Sequence, residues 1–299
     1  MSQYPLVSVV TVNYNQSAVT CQMLESLYAS GFPNMEVLVV DNASPSDTPE
    51  VIKEKFPQVI FIQSNKNLGF AGGNNLAIRQ AKGEFIYLLN NDTIIPENHI
   101  HILVNAFSED HATGVVCPKI KLYDDPNIIL FAGFTPLSSI TVRNKIIGFS
   151  EKDQGQYDQR KQSAYAHGAA MMLKREVMEK AGIMNEDYFL YYEELDWSIR
   201  IRKAGYSIDY IPDTFVLHKE SLTTGKNGPL KSYYMNRNRV LFILLNRTGF
   251  QRFVNFLYQV CIAIPKNILV CGFRGQFANM KATFRAWREI SSFKFNISS

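Results

Sequence analysis

Strand-length apolar runs alternate with segments of helical spacing through the first 110 residues, and this alternation predicts an α/β fold on a doubly wound, mostly parallel sheet. Three observations carry the prediction. The runs at 7–12, 36–40 and 84–89 are dominated by aliphatic and aromatic residues, as strands buried on both faces are. They end in the polar turns Asn13-Tyr14-Asn15, Asp41-Asn42 and Asn90-Asn91-Asp92. Helical segments separate them, which makes the connections right-handed crossovers.

In chain order, 7–12 reads as a strand, 18–29 as a helix, 36–40 as a strand, 51–56 as a helix and 59–63 as a strand. The stretch Asn67 to Asn75, with three glycines, reads as a loop before a helix at 75–81. A strand at 84–89 and a helix at 97–110 follow, the latter entered after the Pro96 stop. Between 114 and 165 the runs are short and rich in Pro, Gly and Ser, and the polar segment 151–162 predicts a mobile loop. Gly168-Ala169-Ala170 is a small-residue turn feeding a strand, Glu193 opens a helix that runs to Ala204-Gly205, and Val216-Leu217 brings His218 to a strand end. Past Gly249 aromatic and basic residues recur at helical spacing, which divides the chain into a catalytic domain over 1–248 and a basic helical extension over 249–299. The apolar stretch 253–264 stops at Pro265-Lys266, short of the about 20 residues needed to cross a bilayer, so an interfacial amphipathic helix is expected.

The 299 residues, 46% of them hydrophobic, can bury one large core or a core with a small appendage. The formal charge of +4 is unevenly placed: residues 249–299 hold seven Lys/Arg against Glu289 alone, which leaves the first 248 near −2. A basic tail on an acidic body suits an anionic membrane surface; nucleic acid is disfavoured because the body is negative. Cys21, Cys117, Cys261 and Cys271 lie far apart, offering neither a zinc site nor a disulfide framework. The N-terminal apolar run is too short for a signal peptide, so a cytoplasmic location, at the inner face of the membrane, is expected.

In doubly wound sheets ligands lie beyond the C-terminal strand ends, where these polar clusters fall. Asn90-Asn91-Asp92 delivers a carboxylate and two amides to such an end, a donor set suited to Mg²⁺ or Mn²⁺ shared with a diphosphate, although an Asx turn or helix cap explains the same residues. The glycines of Asn67 to Asn75 let backbone N–H groups approach an anion closely, or simply make a tight turn. Glu193, Glu194 and Asp196 form the densest carboxylate cluster; helical spacing puts Glu193 and Asp196 on a face with Arg200 and turns Glu194 elsewhere. One of the three is free to act as a base, unless the run is a solvated face of ion pairs. His218 offers a nitrogen ligand or a structural contact.

Taken in order, residues 7–15, Val39-Val40-Asp41-Asn42-Ala43-Ser44, Asn67 to Asn75, Asn90-Asn91-Asp92, Gly168-Ala169-Ala170, Glu193-Glu194-Leu195-Asp196 and His218 resemble glycosyltransferase family 2, inverting enzymes of the GT-A fold. The resemblance implies a nucleotide-diphosphosugar donor, with Thr11, Asn13, Tyr14, Asp41, Asn42, Gly69, Asn75, Asn91 and Gly168 around it. It implies Asp92 as the metal-binding acid of the D-x-D element, His218 as a second metal or diphosphate contact, and Glu194 as the base of the x-E-D element. Two departures stand out: Asn90 replaces the first Asp of D-x-D, and Asn42 stands where many members have a second Asp. The subgroup it is most similar to is rhamnosyltransferase-like, which implies dTDP-rhamnose, or a UDP-hexose, as donor and a polysaccharide or lipid-linked glycan as acceptor. Arg237 and Arg239, in Asn236-Arg237-Asn238-Arg239, offer contacts to the diphosphate or are ordinary surface arginines. A sugar nucleotidyltransferase lacks here the Gly-rich basic N-terminal loop that a triphosphate needs, and a non-catalytic nucleotide-sugar-binding module would leave these acids structural. The extension 249–299 has two expected partners, a membrane or a second copy in a homodimer.

Overall fold

The first four strand-like runs are four parallel strands of one sheet: β1 (Val7–Asn13), β2 (Met35–Asp41), the edge strand β3 (Ile60–Gln63) and β4 (Phe85–Leu89), in the order β3-β2-β1-β4. The computed structural model describes residues 4–108, 110–219 and 228–290. Helices α1 (Ser17–Ala29), α2 (Glu50–Lys55) and α3 (Gly69–Ile78) make the crossovers. Alternation along each strand sends neighbours to opposite faces: Val10, Leu38, Ile86 and Leu88 enter one core with Ala71 and Ala77 of α3, while Val9, Val39 and Tyr87 enter another with Leu24 and Leu27 of α1. The two cores are why these strands read as continuous apolar runs.

Past β4 come β5 (Thr93–Ile94), α4 (His99–Ala106), β6 (Thr113–Leu122), β7 (Ile128–Phe131), β8 (Glu151–Lys152), β9 (Lys161–Gln162), β10 (Ala170–Lys174), α5 (Arg175–Ala181), α6 (Glu193–Lys203) and β11 (Ser207–His218). β10 inserts antiparallel between β4 and β6, β11 lies parallel to β6, and β5 closes the edge antiparallel. The mostly parallel sheet expected from the sequence is thus a parallel half joined to a mixed half. No helix lies between β6 and its neighbour β10 along the chain, so β10 has no crossover to hold it parallel to β6.

Three local expectations change. The glycine segment is not a loop; α3 begins at Gly69. Gly69 takes φ +70°, and a Cβ there would stand 2.1 Å from the Phe189 carbonyl oxygen, so its freedom serves close packing of the chain on itself. Segment 151–162 is clasped rather than loose: the buried Lys119 ammonium reaches the Asp153 and Asp158 carboxylates at 3.1 and 2.5 Å, and β8 and β9 pair with β7 and β11.

The third change lies in the C-terminal helices, α7 (Pro229–Asn246), α8 (Gly249–Tyr258), α9 (Ile264–Phe273) and α10 (Phe277–Glu289). α8 and α9 are continuous through a π-helical turn at Gln259–Ala263, immediately before Pro265 in the first turn of α9. The wider turn accommodates the ring and the missing donor, so proline does not end the helix. Gly249–Phe273 is consequently 25 residues, long and apolar enough by length and composition to cross a membrane, contrary to the expected break. α7 packs on α10 and against the segment before α6. The last nine residues of the expected extension, 291–299, lie outside the described residues.

Candidate active site

The polar turns converge along the C-terminal ends of β1, β2 and β4. At β1 and β2 the Asp41 carboxylate accepts from Asn13 Nδ2 (2.9 Å), Ser44 Oγ (2.6 Å), Ser44 N (3.1 Å) and Gln63 Nε2 (2.7 Å). Asn13 Oδ1 accepts from Thr20 Oγ1 (2.8 Å), which in turn accepts from Asn91 Nδ2 (3.0 Å), so the β1, β2 and β4 turns form one network. Asp47, which sequence reasoning missed, joins through Ser17 N (2.6 Å) and Ser17 Oγ (2.5 Å), and these donors hold its carboxyl below the usual range against the opposing effect of burial. Thr11 Oγ1 is buried without a hydrogen-bond partner among the described residues, and Tyr14, three positions on, is half-buried.

Two expected contacts turn inward. Asn42 donates to Asn67 Oδ1 and Gly69 O (both 3.1 Å) and accepts from Leu68 N (2.8 Å), which braces the start of α3. Asn75 is fully buried and donates to Met184 O (2.8 Å) and Glu186 Oε1 (2.9 Å). With Gly69 packed on Phe189, these positions support the architecture of the site, a use their residue types alone do not reveal.

Asp92 and His218, 126 positions apart, are brought together because β5 pairs with the end of β11: His218 lies opposite Thr93, and its Nε2 is 3.1 Å from Asp92 Oδ1. That oxygen is buried with no aligned hydrogen-bond donor among the described residues. An orphaned carboxylate oxygen beside an imidazole nitrogen fits a divalent cation that takes its remaining ligands from substrate phosphates. No group of three or more His, Cys, Asp or Glu suited to a metal occurs among the described residues. Beside this pair Asn90 N donates to Ala169 O (2.9 Å), which places the Gly168 turn next to the β4 end; Gly168 faces the Phe70 ring. His167 stacks on Phe134 (5.8 Å, 9°), and burial, with His218 nearby, pushes its pKa down to about 3.

The three acids of α6 have different surroundings. Asp196 is tied to Arg200 Nε (3.0 Å), Asn246 Nδ2 (2.7 Å) and Tyr188 Oη (3.3 Å), so it is a structural carboxylate. Glu193 is 3% exposed with Oε2 unpartnered, and burial together with Glu194 holds its carboxyl well above the usual range. Glu194 is half-buried, and desolvation raises it to about 7, the range a general base needs. Glu194 O accepts from Ser198 Oγ (2.6 Å), which accepts from Ala166 N (3.0 Å), and this joins α6 to the 166–170 turn and through it to the β4 end beside Asp92 and His218.

The segment leading into Glu193 is strained: Phe189, Tyr191 and Tyr192 have φ of +63°, +69° and +79°. Asn238, which no sequence pattern singled out by itself, meets this segment from α7, and the neighbouring arginines also engage the chain. Arg237 donates to Asp187 O (2.9 Å) and Glu289 Oε1 (3.1 Å), Arg239 to Tyr192 Oη (2.5 Å).

Residues 8–182 match the family model described as Glycosyl transferase family 2. The chain is 26% identical over 239 residues to the low-salt glycan biosynthesis hexosyltransferase Agl10 of Haloferax volcanii, covering 78% of this chain and 74% of that protein. It is 24% identical over 264 residues to the N-acetylglucosaminyl-diphospho-decaprenol L-rhamnosyltransferase of Mycobacterium tuberculosis, covering 82% and 86%. The solved mannosyltransferase PcManGT from Pyrobaculum calidifontis, in complex with GDP-Man and Mn²⁺, superposes with a TM-score of 0.58 at 18% identity, over 97% of this chain and 76% of that one. The architecture is the GT-A fold with a C-terminal helical region.

Proposed function

The chain belongs to glycosyl transferase family 2, and from that premise we propose an inverting transferase that carries one sugar from a nucleotide-diphosphosugar to a hydroxyl of a lipid-linked glycan. Two observations support the proposal: Glu194, with a carboxyl raised to about 7, opens a helix bonded through Ser198 to the 166–170 turn, and that turn meets the β4 end beside the Asp92–His218 pair at 3.1 Å. Glu194 takes the proton of the acceptor hydroxyl as its oxygen attacks the anomeric carbon, the C–O bond to the diphosphate breaks, and the electron pair leaves with the phosphate. Glu193, kept neutral by burial and by its neighbour, leaves Glu194 as the ionising member of the pair. Asp92 and His218 would hold Mg²⁺ or Mn²⁺, which supplies charge neutralisation at the diphosphate. Thr11, Tyr14, the Asp41 network and Asn91 would hold the nucleoside side, and Gly168 would admit the sugar.

A likeness to enzymes named for rhamnosyl transfer to a decaprenyl-linked sugar and for hexosyl transfer supports dTDP-rhamnose or a UDP-hexose as donor. A lipid-linked acceptor also accounts for the exposed aromatic row on α8–α10, which would lie on the membrane.

Thermal-shift titration with UDP-, GDP- and dTDP-sugars, with and without Mn²⁺, tests the reading. The cognate donor at a hundredfold its Kd stabilises the fold by about 2.7 kcal/mol, and Asp92→Asn loses the Mn²⁺-dependent part. Glu194→Gln keeps that stabilisation but loses about 10²–10⁴-fold in nucleoside diphosphate release. No stabilisation by any donor, or normal release by Glu194→Gln, overturns it.

A further inference from the structure

The helix α7 lies outside the nucleotide-binding half of the sheet, yet its centre is bonded to the segment that delivers the acid pair of α6. Asn238 is fully buried. Its side-chain amide nitrogen lies 2.8 Å from each of three backbone carbonyls, those of Tyr188, Leu190 and Tyr191. Its Oδ1 accepts from Arg237 Nη1 at 2.7 Å, which fixes the orientation of the amide. The carbonyls it gathers belong to a run in which Phe189, Tyr191 and Tyr192 all sit at positive φ, a region that bulky residues rarely enter. Such a backbone persists where its surroundings over-determine it. Here the surroundings are Asn238 on one side and, on the other, the Phe70 N–H donating to Phe189 O at 2.7 Å from the start of α3. Tyr192 is the residue immediately before the Glu193-Glu194 pair, so the direction in which α6 starts is set by these bonds.

We propose that Asn238 is a positioning residue for the catalytic base: by binding three carbonyls of the 188–191 segment it holds the left-handed backbone that aims Glu194 at the acceptor side of the site. The inference rests on Glu194 being the base. Glutamine, alanine or aspartate at 238 cannot reproduce the arrangement: the first is a methylene too long, the second has no donor, and the third places a carboxylate oxygen against carbonyl oxygens.

The test is made on the full chain, with Asn238→Ala and Asn238→Asp compared with the parent and with Glu194→Gln. Nucleoside diphosphate release is measured with whichever of the UDP-, GDP- or dTDP-sugars the parent cleaves. Asn238→Ala should lower kcat about tenfold or more, as a misplaced catalytic group does, with KM for the donor within about twofold, because among the described residues the hydrogen bonds of the Asn13–Asp41 network run to β1, β2, β3, α1 and the β4 turn rather than to α7. The Glu194 carboxyl, recognised in ¹³C spectra as the glutamate titration that vanishes in Glu194→Gln, should move down toward the ordinary range of 4.5 from about 7 as the loosened segment admits water. A variant that merely lost stability would lower the melting temperature without shifting that titration or splitting kcat from KM. If alanine at 238 prevents folding, Asn238→Gln, which keeps an amide donor on a side chain one methylene too long, carries the same two readouts. Parental kcat and an unmoved titration in a folded Asn238 variant, with Glu194→Gln inactive, overturn the positioning role alone. An active Glu194→Gln instead overturns the base assignment on which it stands.

Discussion

At the scale of single residues, the sharpest consequence is the pH behaviour of Glu194. Its carboxyl is raised from 4.5 to about 7 by desolvation, so the ionised fraction, and with it kcat, should fall about tenfold per pH unit below that value. The same shift has a stability consequence of defined sign. The folded state favours the protonated acid, so this group's contribution is fully present below pH 4.5 and is lost as pH rises through about 7. Glu194→Gln removes the loss: the variant should melt above the parent at pH 8 and level with it near pH 4. Each kcal/mol regained corresponds to roughly 2–4 °C in a chain of this size class. A Glu194→Gln protein that melts below the parent at pH 8 rejects the raised carboxyl. Asp92, His218 and Glu194 stand out in the sequence through the ordered motifs they belong to rather than through residue type, since an Asx turn, a helix-start acid or a structural imidazole accounts for each of them singly. Asn42, Asn75 and Gly69 were legible as special but not in their use, since an amide or a glycine serves chain packing and ligand contact equally well. Asn238 stood out only as a member of Asn236-Arg237-Asn238-Arg239, and its use was illegible: its partners are carbonyls about 50 positions away, and a carbonyl leaves no mark on the sequence.

At the scale of elements, the sequence reads best where the period of the apolar residues decides the structure and worst where tertiary contact does. β1, β2 and β4 fell within a residue or two of the expected spans because both faces are buried. α3 starts six residues earlier than expected, at Gly69 rather than Asn75, because its first turn is stabilised by Phe189 and Asn42, which periodicity cannot see. The clasp of 151–162 escaped for a like reason: Lys119 lies on β6, and its partners are a turn away in space but more than 30 positions along the chain. The contact between α3 and the 188–192 segment gives a test at this scale. Gly69→Ala forces a side chain into a backbone oxygen and also strains φ +70°, so α3 must separate from the segment. The variant should lose roughly 1–3 kcal/mol in urea unfolding, and should lower kcat even at temperatures where it remains folded. Parental stability would show that the two elements do not touch in solution.

At the scale of the whole molecule, the distribution of charge and apolar surface bears on where the enzyme works. The helix Gly249–Phe273 is long enough to span a bilayer, but one stripe of it is bound to the catalytic body. Asn255 donates to Ser139 O (2.6 Å) and Ile140 O (2.9 Å), Asn267 donates to Asn236 Oδ1 (2.9 Å), and Ala263 and Ile264 are buried. On a membrane, a helix held in this way along the body would lie in the interface rather than cross it. Its other stripe exposes Phe250 at 81%, Phe253 at 60% and Phe273 at 90%, continued on α10 by Phe277 and Phe284. Arg252, Lys266, Arg274, Lys281, Arg285 and Arg288 are interleaved with these rings, while the first 248 residues are near −2, so an anionic surface attracts this end and repels the other. Each ring transferred from water contributes about 1.5–3 kcal/mol and each basic residue near the surface about 1 kcal/mol. Sedimentation with vesicles containing anionic lipid should therefore be strong at low salt, weaken in high salt, and weaken further when Phe253 and Phe273 are replaced by Glu, with donor-induced stabilisation unchanged. A chain that stays in the supernatant and elutes as a dimer through the same face would assign α8–α10 to a second copy. The acceptor would then have to reach Glu194 from solution, and a soluble glycan rather than a lipid-linked one would be the substrate to test.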